Sequence, residues 1–203
     1  MKEFLRSTEI IDWEHPAVKQ QAAALNRSDD VAEVAKICFE WVRDEVRHSR
    51  DHKLNPVTCR ASDVLQHRTG YCYAKSHLLA ALLRANGIPT GLCYQRLSLG
   101  DSGPPFSLHG INAIHLPKYG WYRVDARGNR NGIDAQFVPP VERLAFPLQS
   151  TDEIEFDNIL SDPLVCVVRA LQAGESWEQM MSILPDISPS EFEAAGLIVR
   201  YHG

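Results

Sequence analysis

RTGYCYAKSHLLAALLRANGIP, residues Arg68 to Pro89, joins a glycine turn to a long apolar helix and puts a cysteine at the junction. Gly70 allows a sharp turn. The run Ala74, Leu78, Leu79, Ala81, Leu82, Leu83, Ala85 then follows helical spacing and is apolar on most sides, which predicts a buried helix. Lys75, Ser76, His77 and Arg84 are its polar breaks, and Asn86-Gly87 followed by Pro89 ends it. Cys72 therefore falls in the first turn, where free backbone N–H groups and the positive end of the helix dipole favour a thiolate. The same position also suits an inert cysteine packed as a small hydrophobe. A base elsewhere in the chain is needed to decide between the two.

Working outward toward the N-terminus, Pro16 can open a helix through Leu25, and Ser28 is positioned as the N-cap of a second. In that second helix Val31, Val34, Ala35, Cys38, Trp41, Val42 and Val46 share one face, so it should lie against the Cys72 helix with Cys38 packed and inert. Arg47 to Pro56 reads as a polar loop, with Ser62 as the cap of a short helix from Asp63 to His67. His48, His52 and His67 are expected to be solvated, and Cys59, in loop sequence, to be exposed and open to modification.

Beyond Pro89 the pattern changes to short alternating segments separated by turns, which predicts an antiparallel sheet. Thr90 to Leu97 forms the first strand, with Cys93 packed on it. After a loop at Asp101 to Pro105, His109 to Leu116 and Trp121 to Asp125 form a hairpin. Ile133 to Val138 is a further short strand that Pro139-Pro140 interrupts, and another lies near Ile154 to Phe156. The tail returns to helix from Pro163 to Gln172 around a buried Cys166, from Ser176 to Leu184, and from Ser188 to Ala195-Gly196.

The 203 residues, 44% hydrophobic, have the size of one domain spanning 1–203. Its core motifs lie in 61–137 and its helical cover in 150–203. A formal net charge of -5 gives no basic field for nucleic acid, and no uncharged run approaches the roughly 20 residues that span a bilayer. A cytoplasmic location is expected. Five cysteines without C-x-x-C pairs suggest reduced thiols, and no H-E-x-x-H, Walker, G-x-G-x-x-G or EF-hand pattern argues for a metal or cofactor.

A thiolate nucleophile needs a histidine to exchange its proton, and that imidazole needs an acceptor to fix its tautomer. His109 and Asp125 are the candidates, sixteen residues apart. Asn112 is an alternative acceptor, and Asp125 could instead cap a turn through Arg127 to Asn129. His115 has the strand parity of His109 but suits a surface or cross-strand role. A hairpin loop centred between Lys118 and Tyr119 would send His109 and Asp125 to opposite faces, so a shared face requires an odd loop or a bulge.

The order GYC…LLAALLRANGIP, then His109, then GWYRVDARGN resembles the transglutaminase-like superfamily, and in particular its bacterial-type domains, over roughly Ala61 to Phe137. The resemblance implies an α+β, papain/transglutaminase-like fold in which N-terminal helices and a buried nucleophile-bearing helix pack on an antiparallel sheet. It also implies Cys72 as nucleophile, His109 as general base and acid, and Asp125 as the group orienting the imidazole. Where many members have His-Ala-Trp this chain has His109-Gly110-Ile111, and Tyr73 follows the nucleophile, so the substrate groove is expected to be lined differently.

The implied chemistry is acyl transfer on a peptide or protein amide through a thioester, with hydrolysis as the expected outcome. Transfer to an amine, deglycosylation or acetyl transfer would use the same thiol. A module that keeps the fold only for protein interaction is the alternative from a different class. Backbone N–H of Cys72 is a natural oxyanion donor, whereas Gln66, six residues earlier, suits a solvated surface.

Overall fold

The computed structural model describes residues 1–100 and 103–200, so the loop expected at Asp101 to Pro105 lies outside the described residues at 101 and 102. Four helices of seven or more residues precede the main sheet, α1 (Pro16–Leu25), α2 (Val31–Glu45), α3 (Ala61–His67) and α4 (Cys72–Ala85), and a single-turn helix, Ser49–His52, forms within the segment that reads as a polar loop. Two of the expected caps are replaced. Asp30 caps α2, its carboxylate accepting from Ala32 N at 2.9 Å, while Ser28 accepts from Asp30 N one step earlier. Ser62 lies inside α3, where its N–H and hydroxyl both donate to the carboxylate of Asp12, at 3.0 and 2.6 Å. A carboxylate brought in from the N-terminal segment supplies the acceptor at that helix start.

Helix α4 is the centre of the core. Every residue from Cys72 to Arg84 is buried, and α1, α2, α3 and the sheet surround it. It closes with Gly87 N bonded to Arg84 O and Ile88 N to Leu83 O, the Schellman pattern. Lys75, His77 and Arg84 are buried with side-chain donors on backbone carbonyls. Arg84 donates twice to Thr90 O and once each to Arg6 O and Ser161 O, tying the helix end to the first strand and both flanking segments. His77 Nδ1 donates to Cys59 O at 2.8 Å.

The main sheet contains β1 (Thr90–Ser98), β2 (Phe106–Leu116), β3 (Gly120–Val124), β4 (Ile154–Phe156) and β5 (Val199–Arg200), in the order β3-β2-β1-β4-β5 with antiparallel neighbours. A separate hairpin pairs Gln136–Val138 with Val141–Arg143 around the two prolines. The tail is less helical than its sequence pattern predicts. It contains α5 (Val165–Ala173) and short helices at Trp177–Met180 and Pro189–Ala194, and it supplies the two strands β4 and β5. Among the described residues no helix is long and apolar enough to cross a membrane.

Alternation along β2 separates two jobs. Leu108, Ile114 and Leu116 join the main core, and Asn112 donates to Ser76 O of α4 at 3.0 Å. Ile111 and Ala113 pack with Cys93 in a second, smaller cluster on the other face, and His109 shares their parity. Leu116 pairs with Gly120 and Asn112 with Val124, so the connection is the three-residue loop Pro117–Tyr119. Gly120, at φ +74°, turns the chain into β3 where another residue would be strained. With this odd loop the next pair along the register sets Asp125 opposite Ile111, on the face of His109.

Candidate active site

Cys72 is the first residue of α4, and the preceding Tyr71, in extended conformation, offers no capping side chain to the first turn. The entry to this turn is braced from below. Thr69 and Gly70 pair in parallel with Arg47 and His48, and Thr58 Oγ1 donates to Thr69 O at 2.8 Å. Lys75, one turn into the helix, is fully buried and donates from Nζ to Arg43 O and Val46 O at the C-terminal end of α2. Cationic donors suit a helix C-terminus, and this one fixes α2 to the Cys72 helix. Burial pushes the Lys75 ammonium down to about 7.

His109 and Asp125 meet across the hairpin, His109 Nε2 donating to Asp125 Oδ2 at 2.7 Å. Asp125 is fully buried and also accepts from Arg127 N at 3.0 Å and Ala145 N at 3.1 Å. Burial by itself would raise its carboxyl, but His109 and these backbone donors hold it below the usual carboxylate range. For His109, burial would lower the imidazole, yet the Asp125 carboxylate and the Cys72 sulfur beside it raise it to about 10. Since Nε2 faces Asp125, Nδ1 is the nitrogen left for the neighbouring thiol. The Phe146 ring stands edge-on to the imidazole, centroids 5.0 Å apart, and screens it.

The structure thus brings the three expected residues together, and Cys72 and His109 line a common cleft of about 530 Å³. Tyr71, Tyr73, Leu97, Leu108 and Phe146 give it apolar walls, while His48, Arg50, Asp51, Arg127 and Arg130 form a charged end. Tyr73 Oη donates to Leu108 O, joining α4 to the strand that carries His109. Gly110 lets that strand come close: a Cβ there would lie 3.0 Å from Tyr73 Cα.

Other candidates separate cleanly. Gln66 is exposed and does not line the cleft. Asn112 faces α4, where its amide donates to Ser76 O and Gly91 O, so it does not orient His109. His115 pairs across the hairpin with Trp121, ring centroids 5.3 Å apart. Asp125 both accepts from Arg127 N as a turn residue and holds the histidine. Cys59 is buried, not exposed, because α3 and α4 close over it, and burial pushes its thiol to about 12, as it does for Cys38 and Cys93. Cys166 is only partly buried.

His48 is the main residue that sequence reasoning misplaced. It is buried against the Tyr71 ring, centroids 5.5 Å apart, and lines the cleft. A polar loop sequence gave no sign of this, because the burial comes from pairing with the segment that leads into Cys72. Phe146 and Ala145 were also missed, since nothing in their local pattern points back to a hairpin twenty residues earlier.

The model of the transglutaminase-like superfamily matches residues 19–126, more than half of the chain. The chain belongs to the transglutaminase-like superfamily. Its mixed helix and strand architecture, with a buried helix against an antiparallel sheet, is the papain/transglutaminase-like fold of this superfamily. Among solved structures, this transglutaminase-like chain is similar to a proposed cysteine protease from Cytophaga hutchinsonii. The TM-score is 0.49 and the identity 20%, covering 61% of this chain and 40% of that one. The periplasmic domain of TgpA from Pseudomonas aeruginosa is similar at TM-score 0.47 and 21% identity, covering 61% of this chain and 45% of that one. This chain therefore matches less than half the length of either structure. No curated protein matches it.

Proposed function

We propose that this protein is a cysteine-dependent acyl-transfer enzyme that hydrolyses an amide or peptide bond through a thioester on Cys72. The observation that carries this reading is the buried His109–Asp125 contact of 2.7 Å behind a cleft that His109 shares with Cys72, a cysteine at a helix N-terminus. The Cys72 thiolate adds to the substrate carbonyl carbon, and the developing oxyanion is held by the Cys72 N–H. His109 then gives its Nδ1 proton to the leaving nitrogen as the C–N bond breaks. In the second half, His109 takes a proton from water, the hydroxide attacks the thioester, and the carboxylic acid leaves as the thiolate reforms. Asp125 keeps Nε2 protonated throughout, so Nδ1 is the position that cycles.

The polar, open cleft supports water as acceptor, since amine transfer requires water to be kept from the thioester. The reading includes a reducing, cytoplasmic setting, in keeping with five unpaired cysteines. The test is to present activated esters and a peptide pool to the native protein and to Cys72→Ala, and to look by intact mass for an acyl adduct on Cys72. An adduct that forms, then decays with release of acid, supports the reading. If Cys72 acquires no adduct and is alkylated no faster than Cys59 or Cys93, the protein is a binding module instead.

A further inference from the structure

The charged end of the cleft takes no part in the acyl-transfer steps, yet it contains a buried polar side chain with nothing to bind. His48 is only 7% exposed, and among the described residues its Nδ1 has no hydrogen-bond partner. The nearest carboxylate oxygen, Asp51 Oδ1, is 3.7 Å away, too far for a hydrogen bond. The Tyr71 ring fixes the imidazole edge-on, so the ring is held at the cleft wall rather than free to turn outward. A buried polar group left unsatisfied is costly, and in native structures such a group marks a place where something else binds.

The charges around it are unbalanced. Arg127 and Asp51 form a double contact of 2.7 and 3.0 Å, and Arg130 approaches the same carboxylate at 3.5 Å. Arg50, on the exposed rim, has no ion-pair partner among the described residues. Three guanidinium groups, Arg50, Arg127 and Arg130, thus line the cleft with two carboxylates, Asp51 and Glu153, and Glu153 already accepts from Ser98 N and Gln149 N, in a chain whose formal net charge is -5. Burial, together with the positive charges of Arg127, Lys75, His109 and Arg50, holds His48 well below the usual histidine range, so the ring is neutral and can donate one N–H. Nearby cations of one sign that disfavour a charged imidazole favour an anion at the same place.

We propose that this end of the cleft is a carboxylate-binding subsite, in which Arg50 and Arg130 pair with an acidic group of the substrate and His48 donates the N–H that orients it. The proposal rests on the reading of the cleft as a peptide-binding acyl-transfer site and adds the substrate class, a peptide with a carboxylate near the scissile bond. Planar carboxylates match the fork of an arginine pair. Two sources provide that chemistry, an Asp or Glu side chain and a free C-terminus.

Occupancy of the subsite can be read without turnover, using Cys72 alkylation by iodoacetamide as the reporter and peptide mass spectrometry as the readout. Three blocked peptides compete: acetyl-Ala-Ala-Glu-Ala-amide, its Gln counterpart, and acetyl-tetra-alanine with a free carboxylate. The carboxylate peptides should protect Cys72 at a concentration about ten-fold lower than the neutral one, and whichever of the two protects better identifies the source. That ratio should fall toward one in R50Q/R130Q, whose changes lie at the cleft rim, and in His48→Phe, which keeps a ring against Tyr71 but removes both nitrogens. Equal protection by the neutral peptide, protection by none, or a ratio that survives R50Q/R130Q would overturn the proposal. The outcome is independent of catalysis: a slow thiol that never forms an acyl adduct would sink the enzyme reading and still report the ratio.

Discussion

His109 Nε2 and Asp125 Oδ2 stand 2.7 Å apart although sixteen residues separate them along the chain. The contact leaves Nδ1 as the imidazole nitrogen not committed to Asp125 and places three hydrogen bonds on one buried carboxylate. Asp125→Asn replaces an acceptor-only group by an amide whose NH2 must face one of the donors, His109 Nε2, Arg127 N or Ala145 N. Acylation by p-nitrophenyl acetate should drop by about four orders of magnitude, as for a triad whose histidine loses its tautomer. Urea unfolding should show a loss of about 1–3 kcal/mol from the unsatisfied donors. A variant that acylates at the native rate would remove Asp125 from the mechanism.

Because its partners raise His109 to about 10, the imidazole is charged throughout neutral pH. Cys72 should therefore be alkylated by iodoacetamide at pH 6 to 7 much faster than Cys59 or Cys93, whose thiols burial pushes to about 12. His109→Ala should slow Cys72 labelling by at least about ten-fold at these pH values and leave the other cysteines unaffected. Site-resolved labelling rates check this, and equal rates in the two proteins would contradict it.

His77 predicts an acid limit to stability. Burial pushes its imidazole down to about 4, against an ordinary value near 6.5. Between these values the unfolded chain binds a proton that the folded chain refuses. Stability present above pH 6.5 is thus lost as pH falls toward 4, by roughly 3 kcal/mol from this residue. His48 is depressed by burial and adds in the same direction. His77→Gln keeps a donor for Cys59 O without a titrating ring, so its unfolding free energy should fall less than that of the native protein between pH 7 and 4.5. Parallel curves for the two proteins would show that His77 is not the cause.

Gly110 is where β2 and the Cys72 helix touch. In Gly110→Ala the new methyl would lie 3.0 Å from Tyr73 Cα and 3.1 Å from Tyr73 Cδ1, and the first of these is backbone that cannot rotate away. The expected cost is about 1–3 kcal/mol by thermal or urea unfolding. Acylation should fall by more than the lost stability explains, since the strain separates Cys72 from His109. Unchanged acylation in a folded variant would mean that the spacing at Gly110 is not critical.

Much of this protein is legible in its sequence. The helices Pro16–Leu25 and Cys72–Ala85 begin and end at the residues that proline, apolar spacing and Asn-Gly indicate, because those signals act within one or two turns of the chain. The three candidate residues, Cys72, His109 and Asp125, are legible from their types and order. Caps are less so: Asp12 reaches α3 from fifty residues away and displaces Ser62 from the role its sequence suggests.

By itself, then, the sequence determined a buried helix with a cysteine at its start, a hairpin bearing a histidine and an aspartate, and the family to which that order belongs. Tertiary structure alone decided that His109 and Asp125 share a face, because that depends on the odd loop closed by Gly120, and side chains reverse sides with each residue of register. It also decided which polar residues are buried. Lys75 and His48 carry no local sign of burial. They are enclosed because α2 and the segment after it pack on the Cys72 helix and the turn that leads into it, and only contacts between distant segments exclude water there.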